Sequence, residues 1–396
     1  MDSVVLRRTR RLNEGHLWVF SNELQDSPRG YTPGAVVELY DRANNFLAVG
    51  YINPHSLISI RILSREREAI DADFLRRRII KAMEYRGRFL PGRDSYRVIY
   101  SEGDLLPGLI VDKYNDVIVM QTLTYGMERL KETVLTLLDE ILRPSAIVLR
   151  NDTAIRQLEG LPLEKQLLKG SLDTLPIIYD SVGSEGGLRM EVDPMSGQKT
   201  GFFLDQGENR MSFARLIAPG AQGGALRGLD LFSYTGAWAL ATASAGADVT
   251  LVDTSERALA MASRNAQLNN LQDRCEFVQA DVFDFLKRQV QDGNLYDFII
   301  LDPPAFVKSK ANLKDGLRGY AELNTLAIRA LKSSGLLATS SCSYHVTQEV
   351  FLETITRCAI GRDARILEVR SQGIDHPRLL AVPETQYLKC AFVQVL

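Results

Sequence analysis

The sequence is short of the residues that build metal sites and disulfide frameworks. Its 396 residues include four cysteines and four histidines, and Cys275, Cys342, Cys358 and Cys390 show no CxxC or other ligand spacing. A metal site is therefore not expected, and a few scattered cysteines point to a reducing, cytoplasmic setting. No run approaches the roughly 18 apolar residues of a membrane span, so no membrane partner is expected. The opening MDSVVLRRTRR has basic residues without an apolar stretch behind them and does not read as a signal peptide. A formal net charge of −2 makes no global electrostatic case for nucleic acid, so any such case must rest on local patches.

What is present reads as a soluble globular chain, 45% hydrophobic and 24% charged. Its length is too great for one ordinary core and implies two or three domains. Residues 1–70 alternate short β-type runs (GAVVELY, FLAVGYI, ISIRIL) with Gly, Pro and Asn turns, which predicts a small all-β module. Residues 71–185 read as an α+β unit. It has a basic helix over 73–90, strands in YRVIYSEGD, GLIVDKYND, VIVMQTL and SAIVLR, and a helix in MERLKETVLTLLDEIL. The stretch from about 151 to 185 reads as a loop-rich boundary.

Residues 186–396 alternate strands and helices, an α/β pattern with about seven strands. Five apolar runs there end in a polar residue: GLDLF, DVTLVDTS, CEFVQAD, YDFIILDPPAF and GLLATSSCS. Short apolar runs bounded by turn signals predict buried parallel strands, and the gaps between them suit helices. Ser255 is a plausible N-cap for the helix after the second run. In an open α/β sheet, ligands bind beyond the carboxyl ends of the strands. The series therefore sets Asp230, Asp253, Asp281, Asp302 and Cys342 along one crevice.

A dinucleotide-binding turn would carry G-x-G-x-x-G after the first strand, letting backbone approach a pyrophosphate. Here Phe232, Ser233 and Tyr234 stand where glycines should be, and only Gly236 follows. Such a turn suits S-adenosyl-L-methionine better, a sulfonium cation with an amino-acid tail. Asp230 can help hold its ammonium, and backbone near Gly236 can face its carboxylate. Asp253, with Thr254 and Ser255 beside it, can accept both ribose hydroxyls. Asp281 and the N–H of Val282 can read the adenine edge. Asp302 borders both cofactor and substrate.

The run Lys199-Thr-Gly-Phe-Phe-Leu-Asp-Gln206, Arg210, and then FSYTG, VDTS, DPPAF and SCS in that order, resembles the RlmI-type bacterial 23S rRNA cytosine-5 methyltransferases. GHLWVFSNEL at 15–24 and LPGLIVDKY at 106–114 extend the resemblance over nearly the whole chain. It implies a class I methyltransferase sheet preceded by a PUA-like RNA-binding domain and an α+β middle domain. It also implies that Phe203, Asp205, Gln206 and Arg210 line the cofactor pocket. The implied partner is 23S rRNA or a large-subunit assembly particle, and a homodimer is an allowed assembly.

Cytosine C5 is a poor nucleophile, and the known chemical solution is addition of a thiolate at C6. Cys342, flanked by Ser340, Ser341 and Ser343 at a strand end, is the candidate nucleophile; the other three cysteines read as small core residues. In Asp302-Pro-Pro-Ala-Phe306, the aspartate can bond the base edge and Phe306 can stack on a base withdrawn from its helix. No second cysteine stands in this motif, where Pro304 and Ala305 occur, so the base that removes the C5 proton is not identified.

Three basic clusters are candidate RNA contacts: Arg7, Arg8, Arg10 and Arg11; residues 61–90, with nine Lys/Arg against five Asp/Glu and the run Arg76-Arg77-Arg78; and Lys308, Lys310, Lys314 and Arg318. Three rival readings stay open. One is the same fold acting at a ring nitrogen such as guanine N7, which needs no thiol. Another is a small-molecule methyltransferase, which has no use for a basic β module. The third is a catalytically idle RNA-binding or assembly factor.

Overall fold

The computed structural model describes residues 2–180, 187–218, 224–307 and 309–396. By packing, the chain divides into two compact units. One comprises Met1–Ile178, Val192–Phe203 and Ile374–Thr385, and the other Tyr179–Glu191, Leu204–Gly373 and Gln386–Leu396.

The first unit contains two five-stranded sheets. In the N-terminal sheet Asp2–Val5 lies beside Ala35–Tyr40, followed by Phe46–Ile52, Ile60–Ser64 and the short Trp18–Val19. Its alternating Val, Leu and Ile residues bury one core, with Val37, Leu39, Ile52 and Ile60 fully enclosed. The helix Ala72–Phe89 follows, started by Asp71, whose side chain accepts the N–H of Phe74. The second sheet runs Glu164–Lys169, Ala146–Asn151, Val117–Thr122, Leu109–Tyr114, Tyr96–Tyr100. Its single parallel pair, Val117–Thr122 with Ala146–Asn151, is joined through the helix Lys131–Leu142, the crossover that a parallel pair requires.

One expectation is corrected here. The stretch 151–185 is not simply loop-rich, because Glu164–Lys169 forms an edge strand antiparallel to Ala146–Asn151. Its sequence EKQLLK lacks the apolar alternation of a core strand because none of its six residues is fully buried. Residues 181–186 of that stretch lie outside the described residues.

The second unit is built on one seven-stranded sheet: β1 (Arg227–Leu231), β2 (Asp248–Asp253), β3 (Cys275–Gln279), β4 (Tyr296–Leu301), β5 (Leu331–Ser341), β6 (Ala364–Arg370) and β7 (Lys389–Val395). The order is β3-β2-β1-β4-β5-β7-β6. β1 to β5 are parallel, and β7 is antiparallel to both β5 and β6. This is the α/β architecture of a class I methyltransferase. β4 shows why such strands read as continuous apolar runs. Ile299 and Leu301 pack on one face with the helices Val282–Gln291, Leu313–Ala330 and Gln348–Cys358. Phe298 and Ile300 pack on the other with Phe213 and Trp238. In register with Phe298 stands Gly228, where a Cβ would lie 2.1 Å from the ring, so β1 and β4 can pair there only with glycine.

Candidate active site

β4 and β5 are adjacent and in register, with Leu301 opposite Thr339, and each ends at one of the candidate chemical groups. Asp302 follows β4 and Cys342 follows β5. Cys342 is half-buried, and its Sγ lies 4.0 Å from the carbonyl of Pro303. The serines around it are structural. Ser340, Ser341 and Ser343 are essentially inaccessible. Ser343 Oγ accepts the Val307 N–H at 3.1 Å and shares a 2.9 Å bond with the Tyr320 hydroxyl. The loop carrying the thiol is thereby tied to the loop after β4.

The carboxylate of Asp302 is oriented from two sides. Gln206 Nε2 donates to Oδ1 at 3.0 Å, and Trp238 Nε1 donates to Oδ2 at 3.0 Å. Gln206 also donates to Ser340 Oγ and accepts from Asn209, so its amide is locked by three contacts. The segment LDQ enters the unit as a short 3-10 turn leading into the helix Gly207–Ile217. That local geometry brings Gln206 under β4.

The turn after β1 is bent like a glycine-rich loop despite its side chains. Phe232 and Tyr234 have φ of +65° and +48°, followed by Gly236 at +84°. Left-handed backbone at non-glycine residues is unfavourable and concentrates where surrounding structure enforces it. Here the Phe232 and Ser233 N–H groups donate to the Val252 carbonyl, and the Tyr234 N–H donates to Asp253 Oδ2 at 3.0 Å. In this turn and at Asp230 just before it, three buried polar atoms have no hydrogen-bond partner among the described residues: Asp230 Oδ1, Ser233 Oγ and Thr235 Oγ1. Buried polar atoms are normally satisfied, and such a cluster suits a polar ligand end. The amino-acid tail of S-adenosyl-L-methionine has that chemistry.

Asp230 itself is fully enclosed rather than at the crevice rim, and its Oδ2 accepts the Ala239 N–H at 2.9 Å. Burial pushes its carboxyl up to about 8, with Asp302 and Asp253 adding to the effect. Asp253 is half-buried, its Oδ1 accepting the Ser255 N–H at 2.9 Å. Thr254 is exposed, and Ser255 caps the helix Glu256–Leu268 through the Ala258 N–H. Asp281 is exposed and caps the helix Val282–Gln291 through the Asp284 N–H, and Val282 is buried beneath it.

The remaining pocket candidates have firm partners. Arg210 is buried and forms a two-pronged pair with Asp180, both contacts at 2.7 Å. Asp205 accepts the Tyr387 hydroxyl at 2.5 Å. Phe203 belongs to the first unit, where the Lys199 ammonium lies 4.3 Å from its ring centre. Phe306 is half-buried in an aromatic group with Tyr320 at 4.8 Å, Phe283 at 6.1 Å and Phe232 at 6.4 Å.

The basic clusters differ in how much charge they leave unmatched. Arg8 is exposed, and its side chain has no partner among the described residues; Arg7 is exposed, and its side chain donates to the Asn22 carbonyl. Arg10 pairs with Glu14, and Arg11 lies 3.6 Å from Glu384. In the run at 76–78, Arg76 pairs with Glu140 and Arg77 with Glu68, both at 2.6 Å, and Arg78 donates to the Leu63 carbonyl. Arg318 pairs with Asp315. Lys308 lies outside the described residues. Among the described residues no group of His, Cys, Asp and Glu could hold a metal ion, and no helix is long and apolar enough to cross a membrane.

Two further residues escape a sequence reading. Trp238 sits in an alanine-rich helix with no polar pattern to mark it. Lys389 opens the apolar strand β7 and is buried beside the Cys342 loop, its ammonium donating to the Ser343 carbonyl at 2.7 Å. A lone lysine before a buried strand is the one available signal.

Comparison with known proteins agrees with this layout. Residues 6–65 match the PUA-like domain family and residues 224–366 the methyltransferase domain family. The chain is 37% identical over 391 residues to the ribosomal RNA large subunit methyltransferase I of Klebsiella pneumoniae, covering 96% of this chain and 95% of that one. It is 37% identical over 389 residues to the protein of the same name from Pseudoalteromonas translucida, covering 96% of each. A solved structure from Streptococcus mutans, a proposed SAM-dependent methyltransferase, superposes with a TM-score of 0.83 at 22% identity over the full length of both chains. Another, a proposed methyltransferase complexed with SAH, gives 0.85 at 22% identity, again over both full lengths.

Proposed function

The chain belongs to the ribosomal RNA large subunit methyltransferase I family, and we propose that it methylates C5 of a cytosine in 23S rRNA, with S-adenosyl-L-methionine as methyl donor and Cys342 as covalent nucleophile. The observation that carries the reading is the adjacency of Asp302 and Cys342 at the ends of neighbouring parallel strands, next to the end of β1 and its turn, where three buried polar atoms lack a partner among the described residues.

S-adenosyl-L-methionine, when bound, supplies an electrophilic methyl group on a sulfonium. Asp230, Ser233 and the backbone at Gly236 would hold its amino-acid end, Asp253 would accept from its ribose, and Asp281 with the Val282 N–H would meet the adenine. The carboxylate of Asp253 is pre-oriented for this by the Tyr234 and Ser255 N–H groups, each of which leaves lone pairs available.

On the substrate side the Cys342 thiolate adds to C6, forming the S–C6 bond and moving the C5–C6 π pair toward C5. Asp302 sits at the base edge and favours protonation at N3 as that charge develops. C5 would then bond to the methyl group as the methyl–sulfonium bond breaks, that bond's electron pair staying on sulfur as a neutral thioether. Loss of the C5 proton to a base returns the electron pair to the C5–C6 bond, and the S–C6 bond breaks to release the thiolate. Gln206 and Trp238 hold the Asp302 carboxylate in one orientation, so no reorganisation is needed during addition.

The test is incubation of the protein with unmodified 23S rRNA and labelled S-adenosyl-L-methionine, followed by nucleoside mass spectrometry. 5-Methylcytidine is expected. 7-Methylguanosine would establish nitrogen chemistry instead. RNA binding with neither cofactor binding nor transfer would make the protein a noncatalytic factor.

A further inference from the structure

Lys389 is 4% exposed and starts an interior strand of the sheet. Its partner across the β5–β7 ladder is Ser341, the residue before Cys342. Two of its three ammonium N–H groups are taken by backbone, the Ser343 carbonyl at 2.7 Å and the Tyr387 carbonyl at 2.8 Å. The side chain thus grips the loop on the far side of the thiol. Among the described residues no carboxylate pairs with it. A buried ammonium held only by carbonyls is unfavourable unless a negative charge is supplied nearby.

The geometry points to Lys389 as the positioning residue that keeps Cys342 as a thiolate, its clamped ammonium serving as the counter-charge to Sγ. This rests on the reading of Cys342 as nucleophile. The electrostatics agree in sign. Burial lowers the Lys389 ammonium to about 8, and the charge of Cys342 acts in the opposite direction. A thiol beside a lysine ionises below its ordinary value near 8.5. Two neighbours of the thiol are not cations: the Pro303 carbonyl, 4.0 Å from Sγ, and the Tyr320 hydroxyl on the helix Leu313–Ala330, which bonds Ser343. The alternative is a purely structural clamp on the loop, which would leave the thiol's titration unchanged.

The experiment measures alkylation of Cys342 by iodoacetamide against pH in the full-length protein without RNA, read by peptide mass spectrometry. In the unaltered protein the midpoint should lie below about 8. Lys389→Met should move it up by at least one unit, a loss of about tenfold in rate at pH 7, and Lys389→Arg should restore most of the rate. Melting temperatures that fall with an unmoved midpoint would reduce Lys389 to a clamp. If the methionine variant does not fold, the reciprocal measurement decides. Cys342→Ser should lower the Lys389 titration followed by NMR at Cε, and an unchanged titration overturns the pairing. A midpoint of about 8.5 or higher in the unaltered protein overturns it without any variant. Covalent trapping by 5-fluorocytidine RNA separates the two readings. Trapping with an unmoved midpoint removes only Lys389, whereas a shifted midpoint without trapping removes cytosine addition and leaves the lysine–thiolate pair standing.

Discussion

Gln206 and Asp302 are 96 residues apart in sequence, yet the amide of one donates to the carboxylate of the other at 3.0 Å. The bond couples the LDQ turn to the end of β4. Gln206→Ala should remove the donor to Oδ1 while keeping the Trp238 bond to Oδ2, and slow methyl transfer by about 10- to 100-fold through misplacement. The loss in stability should be about 1 kcal/mol. Gln206→Glu should be worse, since it sets two carboxylates against each other. Single-turnover rates beside thermal melts check this, and unaltered rates in both variants would rule out an orienting role.

Cys342→Ala should abolish methyl transfer while keeping the fold and cofactor affinity. Losing covalent catalysis costs several powers of ten, far beyond the ~1–3 kcal/mol of a packing defect. Cys275, Cys358 and Cys390 titrate upward through burial, to about 12 for the first and last, so none is poised to be a thiolate. Their alanine variants should lose stability modestly and activity little. RNA containing 5-fluorocytidine should become crosslinked to a peptide containing Cys342. Full turnover by the alanine variant would leave guanine N7 as the leading target.

Asp253→Ala should weaken S-adenosyl-L-methionine binding by about 1–3 kcal/mol. Part of that loss should come from the Tyr234 turn, which uses the same carboxylate as an anchor. Calorimetry giving an unchanged dissociation constant would remove Asp253 from the pocket.

The high-titrating carboxyl of Asp230 has a pH signature. Its folded value of about 8 lies above the unfolded value near 3.9. Between those limits the folded state holds a proton that the unfolded state has released. Stability from this site is therefore complete below about pH 4, declines through the window and is lost above about pH 8. Asp230→Asn keeps a carbonyl for the Ala239 N–H and removes the titration. Its melting temperature should draw ahead of the unaltered protein as pH rises from 5 to 8, roughly following that linkage. A gap independent of pH would mean that the carboxyl ionises normally.

Charge reversal should separate the basic clusters. Arg7→Glu with Arg8→Glu should weaken rRNA binding and flatten its salt dependence by roughly two phosphate contacts. Arg76→Glu with Arg77→Glu should do less, because Glu140 and Glu68 already match those charges. Filter binding across a salt series would show equal slopes if both clusters were mere solvated faces.

The strand ends were legible in sequence because each buried parallel strand is an apolar run stopped by a polar residue, and Asp253, Asp302 and Cys342 all lie where that rule puts them. Asp230 is displaced from the rim because it falls one residue before the end of β1 and turns under the helix Ala237–Ser244. Glu164–Lys169 was not legible, since an exposed edge strand needs no apolar face. Nor was Lys389. Its importance depends on β7 running antiparallel between β5 and β6, a pairing that no local pattern in KCAFVQVL announces. The left-handed bend at Phe232 and Tyr234 was hidden for a different reason: the residues present disfavour it, and backbone bonds to Val252 and Asp253 hold it in place.

The bond from Trp238 to Asp302 makes the site optically addressable. The chain has two tryptophans, and Trp18 lies in the other unit. In a Trp18→Phe background all indole emission would come from a ring that is 5% exposed and bonded to the carboxylate beside the thiol. Ligand arrival, ionisation of Cys342 and local melting around β4 would each be recorded by one chromophore native to the protein, with no dye attached.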